Sequence, residues 1–217
     1  MNLANKLTIL RMVLVPIIVI IPFFNISGSL WGVPLTYIIM DIIFIIASLT
    51  DKLDGYLARK NNEITNFGKF LDPIADKILV VSAMLILVGA GKLPAWIPII
   101  IITREFAVSG YRLIAVEQNG KVIAASVWGK LKTVTQMLAI ILAFVDVNGF
   151  GAIFTGNLSG GAFALNLAST ILMIICLVAT IFSGYDYLKG AKELFKDARK
   201  KWGSKWTQKK ELKNYVK

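Results

Sequence analysis

Four aspartates occur at helical spacing in one short stretch of the chain. Asp51 and Asp54 lie three residues apart, and Asp72 and Asp76 lie four apart, so each pair shares one face of a helix. Two helix ends joined by a short loop would bring the four carboxylates together, and carboxylates crowded in a partly dehydrated pocket either take up protons or hold cations. The pattern therefore predicts a site for divalent metal, in which two bridged ions would clamp the reacting oxygens of a phosphoryl displacement.

Small residues share the helix faces of these acids. Gly55, Ala58 and Gly68 continue the spacing of three and four residues, and small side chains leave room for a bulky ligand such as a nucleotide. The alternative is that the acids only cap helices. This alternative would explain Asp72 before Pro73, but it would not explain four acids at this spacing.

The residue types that the chain lacks exclude several chemistries. It has 217 residues and no histidine, which excludes Ser-His-Asp hydrolysis, phosphohistidine intermediates and HExxH zinc sites. The single cysteine, Cys176, lies in an apolar run, which excludes an intramolecular disulfide and a thiolate metal cluster. A metal would be held by oxygen ligands, which favour hard ions such as Mg²⁺ or Mn²⁺.

Long charge-free runs indicate the elements that position these residues. The chain is 56% hydrophobic and only 17% charged, and residues 12–40 and 147–185 carry no charge. Because a spanning helix needs only about 20 apolar residues, we expect an all-α, polytopic membrane protein. Hydropathy predicts a bundle of six transmembrane helices at roughly 8–24, 35–51, 70–90, 94–117, 129–147 and 164–188.

The charge distribution predicts the orientation of this bundle. The predicted loops at residues 25–34, 89–97 and 148–163 hold a single charged residue, Lys92, whereas the opposite side holds many. We expect a multi-pass protein of the cell membrane. By the positive-inside rule, both of its termini and its aspartates should lie on the cytoplasmic side.

The end of the chain is strongly basic. Residues 189–217 hold eleven Lys or Arg against three acids, a net charge of +8. We predict a membrane domain over residues 1–188 and a basic cytoplasmic tail over 189–217. The tail is either a solvated helix face or a segment attracted to anionic lipid. We expect no nucleic acid partner, because a membrane-tethered tail meets phospholipid first.

The aspartate segment resembles the signature of the CDP-alcohol phosphotransferases. The eight fixed positions of that signature match this chain without a departure. They are Asp51, Asp54, Gly55, Ala58, Arg59, Gly68, Asp72 and Asp76. The resemblance implies a membrane enzyme that displaces CMP from a CDP-linked lipid or alcohol, with a second alcohol as the nucleophile.

The resemblance also implies roles for the acids. Asp51, Asp54 and Asp72 would be metal ligands. Asp76 would be a metal ligand or its neighbour, and the general base that takes the proton from the acceptor hydroxyl. The crowding of four carboxylates raises the pKa of such a base while the metal opposes that shift, so a base usable near neutral pH is plausible.

The same resemblance implies a nucleotide pocket and an assembly. Gly55, Ala58 and Gly68 would line the pocket for the cytidine of the CDP-lipid, and Arg59 would help to hold that region. A homodimer is expected from the resemblance alone.

Charged residues inside the predicted spans bear on the acceptor. Arg104 and Arg112 lie eight residues apart on one helix face, and Lys130 and Lys132 open the fifth span. Charged side chains at such depth in a membrane are costly and usually mark function. Cations that converge there would form a binding site for the phosphate of an acceptor. Alternatively, Arg104 pairs with a carboxylate such as Asp41 or Glu105, and the lysines only follow the positive-inside rule.

Three segments are similar to those of bacterial phosphatidylglycerophosphate synthases. They are Asn5–Arg11, Thr103–Arg112 and Gly129–Thr133. This resemblance implies CDP-diacylglycerol and sn-glycerol 3-phosphate as substrates and membrane lipids as surroundings.

In that reading Arg112 and Lys130 hold the acceptor phosphate with Arg104 in support. The 1-hydroxyl then gives its proton to Asp76 and attacks the lipid-side phosphorus, and CMP leaves.

Other functions remain open at this point. A cardiolipin synthase of the same family would take phosphatidylglycerol as acceptor, and a further relative would take inositol phosphate. A divalent-cation transporter would use the aspartates as an ion path. Such a path needs polar residues through the depth of the bilayer, whereas the first and last predicted spans are nearly all apolar in their middles.

Overall fold

The computed structural model describes the backbone of residues 3–24, 26–60, 66–119, 126–156 and 158–215. It describes the side chains of residues 6–24, 26–50, 74–115, 126–156 and 158–189. Most of the described residues lie in six α-helices, each of which overlaps one predicted span. They are α1 (Leu3–Ile20), α2 (Leu35–Lys60), α3 (Asn66–Gly89), α4 (Trp96–Asn119), α5 (Val127–Val145) and α6 (Gly160–Tyr215).

Three helical stretches of the described chain are long and apolar enough to cross a membrane. They are Lys6–Phe24, which is α1 with a following 3-10 turn, Val127–Val145 and Gly160–Lys189. A shorter apolar run, Leu35–Thr50, begins α2. These findings confirm a mostly helical architecture with candidate membrane spans. The count of six spans and the cytoplasmic orientation stay predictions.

The helix α6 continues past residue 189, where the sequence predicts that the membrane domain ends. The side chains beyond this residue lie outside the described part of the structure. The division into a membrane domain and a basic tail therefore stays a prediction.

The chain folds into two compact units. The first comprises residues 1–99 and 133–176, and the second comprises residues 100–132 and 177–217. In the first unit α1 packs against both α2 and α3, and α2 also packs against α3.

One face of α1 is buried in this three-helix arrangement. Thr8, Arg11, Val15 and Ile18 recur at intervals of three and four residues, and none is more than 6% exposed. This spacing is that of an α-helix with one buried stripe. Three of these residues suit a packed interior, whereas the fully buried guanidinium of Arg11 requires another explanation.

Loops that the sequence places on one side of the membrane meet at one end of the first unit. The Nζ atom of Lys92, between α3 and α4, donates to the carbonyl oxygen of Phe144 at 2.7 Å and lies 4.0 Å from the ring centre of Tyr37. The carbonyl of Lys92 accepts the N–H of Phe150 at 2.8 Å. The start of α2, the end of α5 and the loop between α3 and α4 are thus gathered together, as expected for helices that alternate in direction.

A hydrogen bond between the side chains of Asp146 and Asn166 lies at the same end of the unit. Asp146, directly after α5, accepts the N–H of Asn148 at 3.0 Å and the Nδ2 group of Asn166 at 2.6 Å. Gly149 has a φ of 78°, and a Cβ atom there would lie 3.1 Å from Cα of Lys92. The close approach of the two loops therefore requires glycine. The charges of Asp146 and Asp41 both act on Lys92. The term Lys92 cluster is used below for Asp41, Lys92, Asp146 and Asn166.

A short hairpin that the sequence pattern did not predict follows α1. The strand β1 (Ser29–Leu30) pairs antiparallel with β2 (Val33–Pro34). Trp31 and Gly32 form the turn with φ values of 53° and 82°. Positive φ at both positions is typical of a type I′ turn, whose twist matches that of the flanking strands.

Candidate active site

The backbone places the four aspartates on two helices that pack against each other. Asp54 lies six residues before the end of α2, and Asp72 lies six residues after the start of α3, which is about 9 Å of helix in each case. Asp51 and Asp76 lie nine and ten residues from the same helix ends, or about 14–15 Å. The acids thus form two pairs at matching distances from the end of α2 and the start of α3.

The structure describes the side chain of one of these four acids. Asp76 is half-buried on α3, and its Oδ1 atom is shielded from solvent. The side chains of Asp51, Asp54 and Asp72 lie outside the described residues, and the described side chains alone contain no group of three metal-binding residues. Carboxylate oxygens are the ligands that a hard divalent ion prefers.

The start of α3 excludes one alternative for Asp72. The helix begins at Asn66, so Asp72 lies in its second turn. The interpretation of Asp72 and Pro73 as a helix N-terminus is therefore wrong, and capping does not account for this acid.

The predicted nucleotide-binding residues lie beside the acids in the chain. Gly55, Ala58 and Arg59 belong to the last turns of α2, and Gly68 belongs to the first turn of α3. Their surroundings lie outside the described side chains, so their role stays a prediction.

Arg11 is a candidate that the spacing argument missed. Its side chain is fully buried on the face of α1 that packs against α2 and α3. A cavity of about 940 Å³ is lined further along the same helices, by Val19 of α1 and Ser82 of α3. The sequence signal was a lone charge beside a long apolar run.

Two of the predicted phosphate-binding residues come together in the second unit. The ring centre of Tyr187 lies 5.6 Å from the guanidinium carbon of Arg104 and 5.2 Å from that of Arg112. Arg112 donates to the hydroxyl of Tyr187, and Arg104 donates to the hydroxyl of Ser183, one turn earlier on α6. These four residues are called the arginine cluster below.

The carboxylate next to Arg104 in the sequence has a different partner. Glu105 forms an ion pair with Lys132, and their side chains are 14% and 2% exposed. The alternative that Glu105 neutralises Arg104 is thus not the arrangement found. Lys130 lies in the first turn of α5 with an exposed side chain, and its part in acceptor binding stays a prediction.

Sequence reasoning missed the two hydroxyl residues of the arginine cluster. Ser183 and Tyr187 lie four residues apart on α6, in a stretch interpreted only as an apolar span. Gly129 lies near these residues, and its N–H donates to Ser126 Oγ at 3.1 Å. A Cβ atom on Gly129 would lie 3.4 Å from Nη2 of Arg104. No signal in the sequence indicated this role, because both residues are uncharged and lie in an apolar run.

The family model for CDP-alcohol phosphatidyltransferase matches residues 1–183. The chain belongs to this family, which confirms the resemblance of the aspartate segment.

The chain is similar over most of its length to bacterial enzymes. A CDP-diacylglycerol–glycerol-3-phosphate 3-phosphatidyltransferase of Bacillus subtilis is 40% identical over 203 residues, which cover 90% of this chain and 97% of that protein. The protein of the same name from Haemophilus influenzae is 38% identical and covers 88% of this chain and 94% of its own length. A probable phosphatidylglycerophosphate synthase of Mycobacterium tuberculosis is 37% identical, with 88% and 81% covered.

Proposed function

We propose that the chain transfers the phosphatidyl group of CDP-diacylglycerol to sn-glycerol 3-phosphate, giving phosphatidylglycerophosphate and CMP. The names of the relatives support both substrates. The structural observation that carries the acceptor is the convergence of Arg104 and Arg112 on one tyrosine, with hydroxyls as their hydrogen-bond acceptors. Paired guanidiniums suit the planar, bidentate recognition of a phosphate.

The alternatives receive less support. Phosphatidylglycerol, the acceptor of a cardiolipin synthase, carries a phosphodiester with one negative charge, which needs fewer cations than a terminal phosphate. Inositol phosphate has the same terminal phosphate as glycerol 3-phosphate, and the names of the relatives favour glycerol. Membership of an enzyme family argues against a cation transporter.

Asp76 is the proposed general base. Its half-buried carboxylate has one oxygen shielded from solvent, which is a suitable environment for holding a proton during turnover. The acceptor hydroxyl gives its proton to Asp76 while its oxygen forms a bond to the lipid-side phosphorus of CDP-diacylglycerol. The bond from this phosphorus to the bridging oxygen breaks, and CMP leaves with that oxygen.

The acid motif is the proposed site of Mg²⁺ or Mn²⁺. The ligands would be Asp51, Asp54, Asp72 and Asp76, which belong to α2 and α3. When bound, the metal, in our proposal two ions, supplies electrostatic stabilisation of the charge that develops on the phosphate oxygens.

The nucleotide would lie along the small residues of the motif. Gly55, Ala58 and Gly68 belong to the same turns of helix as the acids, and the lack of side-chain bulk lets a cytidine approach the backbone. Arg59 would steady this region.

The acceptor phosphate would be bound by Arg104 and Arg112, with Lys130 reaching it from the start of α5. Lys132 belongs to its ion pair with Glu105 and is omitted from the proposed set. Binding of the phosphate by fixed cations restricts the orientation of the acceptor, which lowers the entropic part of the barrier.

The decisive experiment follows CMP release by the purified full chain in detergent with Mg²⁺ and CDP-diacylglycerol. Glycerol 3-phosphate, inositol phosphate, phosphatidylglycerol or no acceptor is offered in parallel. We expect release with glycerol 3-phosphate, and a fall of roughly 1,000-fold in Asp76→Asn. The exposed Asp186 supplies a matched control, because Asp186→Asn removes a carboxylate at the surface and should retain full activity.

Metal dependence and specificity complete the test. Chelation should abolish CMP release, and added Mg²⁺ or Mn²⁺ should restore it. Release with another acceptor alone would contradict the proposed substrate. Undiminished activity of Asp76→Asn would contradict the assignment of the base.

We further propose a multi-pass protein of the cell membrane, with both termini and the acid motif in the cytoplasm, that forms a homodimer. Cys176 is buried and can be replaced by alanine to give a cysteine-free chain. In that background, Ser29→Cys should react with an impermeant reagent in intact cells, and Ser204→Cys only after permeabilisation. The reverse pattern would contradict the orientation, and cross-linking in membranes tests the dimer.

A further inference from the structure

We propose that Tyr187 is a positioning residue for acceptor binding, which holds Arg104 and Arg112 together as one phosphate-binding unit. The inference rests on the proposed function, since it concerns the affinity for glycerol 3-phosphate. It adds to that function a residue that carries no charge and lies outside the aspartate motif.

Tyr187 is the common partner of the two arginines. Its ring centre lies within 5.6 Å of both guanidinium carbons, and its hydroxyl accepts a hydrogen bond from Arg112. The side chain is only 7% exposed. A buried tyrosine hydroxyl needs a hydrogen-bond partner, and here that partner is a cation.

Two guanidiniums around one ring would separate if nothing opposed their repulsion. The face of an aromatic ring is negative and attracts a cation that lies over it. A carboxylate in the same place would also hold the arginines, but it would cancel the charge that binds phosphate. The tyrosine holds them while it remains neutral.

The hydrogen bond to Tyr187 leaves donors available on Arg112. A guanidinium has five N–H groups in a fixed fork, and the tyrosine oxygen takes one of them from the Nη2 atom. The remaining edge retains the geometry for a bidentate contact with a phosphate. The bond therefore fixes the orientation of the side chain without occupying its full binding capacity.

The surroundings of Tyr187 hold its ring in place. Tyr111 packs edge-to-face on the ring with a centroid distance of 5.9 Å and an angle of 70°. One turn earlier on α6, Ser183 accepts from Arg104 and lies 3.3 Å from the hydroxyl of Ser126. A Cβ atom on Gly184 would lie 3.6 Å from Cγ of Arg104, so the arginine packs directly on the helix.

The test compares Tyr187→Phe, which keeps the ring, with Tyr187→Leu, which removes ring and hydroxyl. Tyr185→Phe is the matched control, because Tyr185 lies on the same helix and is 66% exposed. For each variant of the full chain, kcat and the KM of each substrate are measured from CMP release. Size-exclusion profiles verify that the variants are folded.

We expect Tyr187→Phe to raise the KM for glycerol 3-phosphate roughly tenfold, because a hydrogen bond to a charged group is lost. Tyr187→Leu should raise it further, to roughly 30-fold or more, because the ring contact is lost as well. The KM for CDP-diacylglycerol should stay within about twofold in both variants, since a loss confined to acceptor binding leaves donor binding unchanged. Tyr185→Phe should match the unmodified chain.

Several outcomes would overturn the inference. An unchanged KM for glycerol 3-phosphate in both variants would show that Tyr187 does not position the arginines. Equal increases in the KM of both substrates would show a general structural role. If the unmodified chain releases CMP only with an acceptor that lacks a terminal phosphate, the proposed function fails together with the inference. If it uses glycerol 3-phosphate and the variants match it, the inference fails alone.

Discussion

The Lys92 cluster and the arginine cluster both contain cations shielded from solvent, with Lys92 buried and Arg104 and Arg112 half-buried, but the partners of these cations differ. Lys92 donates to the carbonyl of Phe144, and the carboxylates of Asp146 and Asp41 attract it. The oxygens of Asp146 are in turn hydrogen-bonded to Asn148 and Asn166. Within the described residues, this cluster therefore contains both the cation and the carboxylates that attract it.

The arginine cluster uses neutral partners in the corresponding places. Ser183 and Tyr187 accept from Arg104 and Arg112, and the tyrosine ring faces both cations. The neighbouring carboxylate of Glu105 is paired with Lys132. In the proposed function, the phosphate of the acceptor adds an anion to this cluster.

The comparison separates a structural use of buried charge from a binding use. The Lys92 cluster joins loops and caps the end of α5, whose last carbonyls lack partners within the helix. In the proposed function, the arginine cluster provides the positive charge that binds the acceptor phosphate. Substitutions in the first should therefore change stability, and substitutions in the second should change substrate affinity.

The largest effect is expected at Arg112. Arg112→Ala should lower kcat/KM for glycerol 3-phosphate by roughly 100-fold or more. The bound phosphate would lose one of its cations, and removal of one member of such a charge pair costs about 2–5 kcal/mol. The unfolding temperature should change by only a few degrees. The measurement combines CMP release with thermal unfolding in detergent. A large loss of stability with normal affinity would make this cluster structural and remove the contrast.

Lys92→Met should have the opposite profile. The carbonyl of Phe144 loses its donor and two carboxylates lose an attracting charge, so the free energy of unfolding should fall by about 2–3 kcal/mol. The KM for glycerol 3-phosphate should remain unchanged. An increase in this KM without loss of stability would connect the Lys92 cluster to catalysis.

The titration of Lys92 gives a smaller, pH-dependent effect. Burial lowers the pKa of Lys92 from 10.5 to about 8, and the attraction of Asp146 and Asp41 only partly opposes this. Between these pH values the unfolded chain binds more protons than the folded chain, so the contribution of Lys92 to stability rises with pH. The unmodified chain should gain stability relative to Lys92→Met between about pH 8 and 10.5. Unfolding curves of both proteins at pH 7, 9 and 10.5 test this, and a constant difference would contradict it.

The smallest effect is expected at Gly129. Gly129→Ala places a methyl group 3.4 Å from Nη2 of Arg104, a distance that requires only a slight shift of the side chain. We expect an increase of about twofold to fivefold in the KM for glycerol 3-phosphate, since a strained contact of this kind costs under 1 kcal/mol. Gly110→Ala is the control, because a Cβ atom there meets nothing within 4 Å. Equal effects of the two substitutions would contradict a specific contact with Arg104.

The sequence was informative wherever a residue type carries its signal alone. Apolar runs located every helix to within a few residues at most ends, and the aspartate spacing identified the family. The convergence of Arg104 and Arg112 was predictable because residues eight apart share a helix face. Each of these inferences depends on positions close together in the chain.

The remaining features depend on distant partners. Ser183 and Tyr187 are 79 and 75 residues from the arginines that they hold, and uncharged hydroxyls on an apolar helix give no warning of such a role. The pairing of Lys132 with Glu105 was equally hidden, because two cations and one acid within reach allow several pairs. The hairpin was missed since Trp-Gly is an unusual type I′ turn, for which Asn-Gly is the common sequence.

The hairpin and the 3-10 turn before it carry three exposed aromatic side chains. Phe23, Phe24 and Trp31 are 79%, 70% and 92% exposed, and aromatic rings favour the boundary between hydrocarbon and headgroups. In the proposed membrane orientation, these rings would lie at the boundary opposite the acids. A shift of the first unit along the membrane normal would carry them out of that boundary, so the three rings would oppose such a shift and help to fix the depth of the acids.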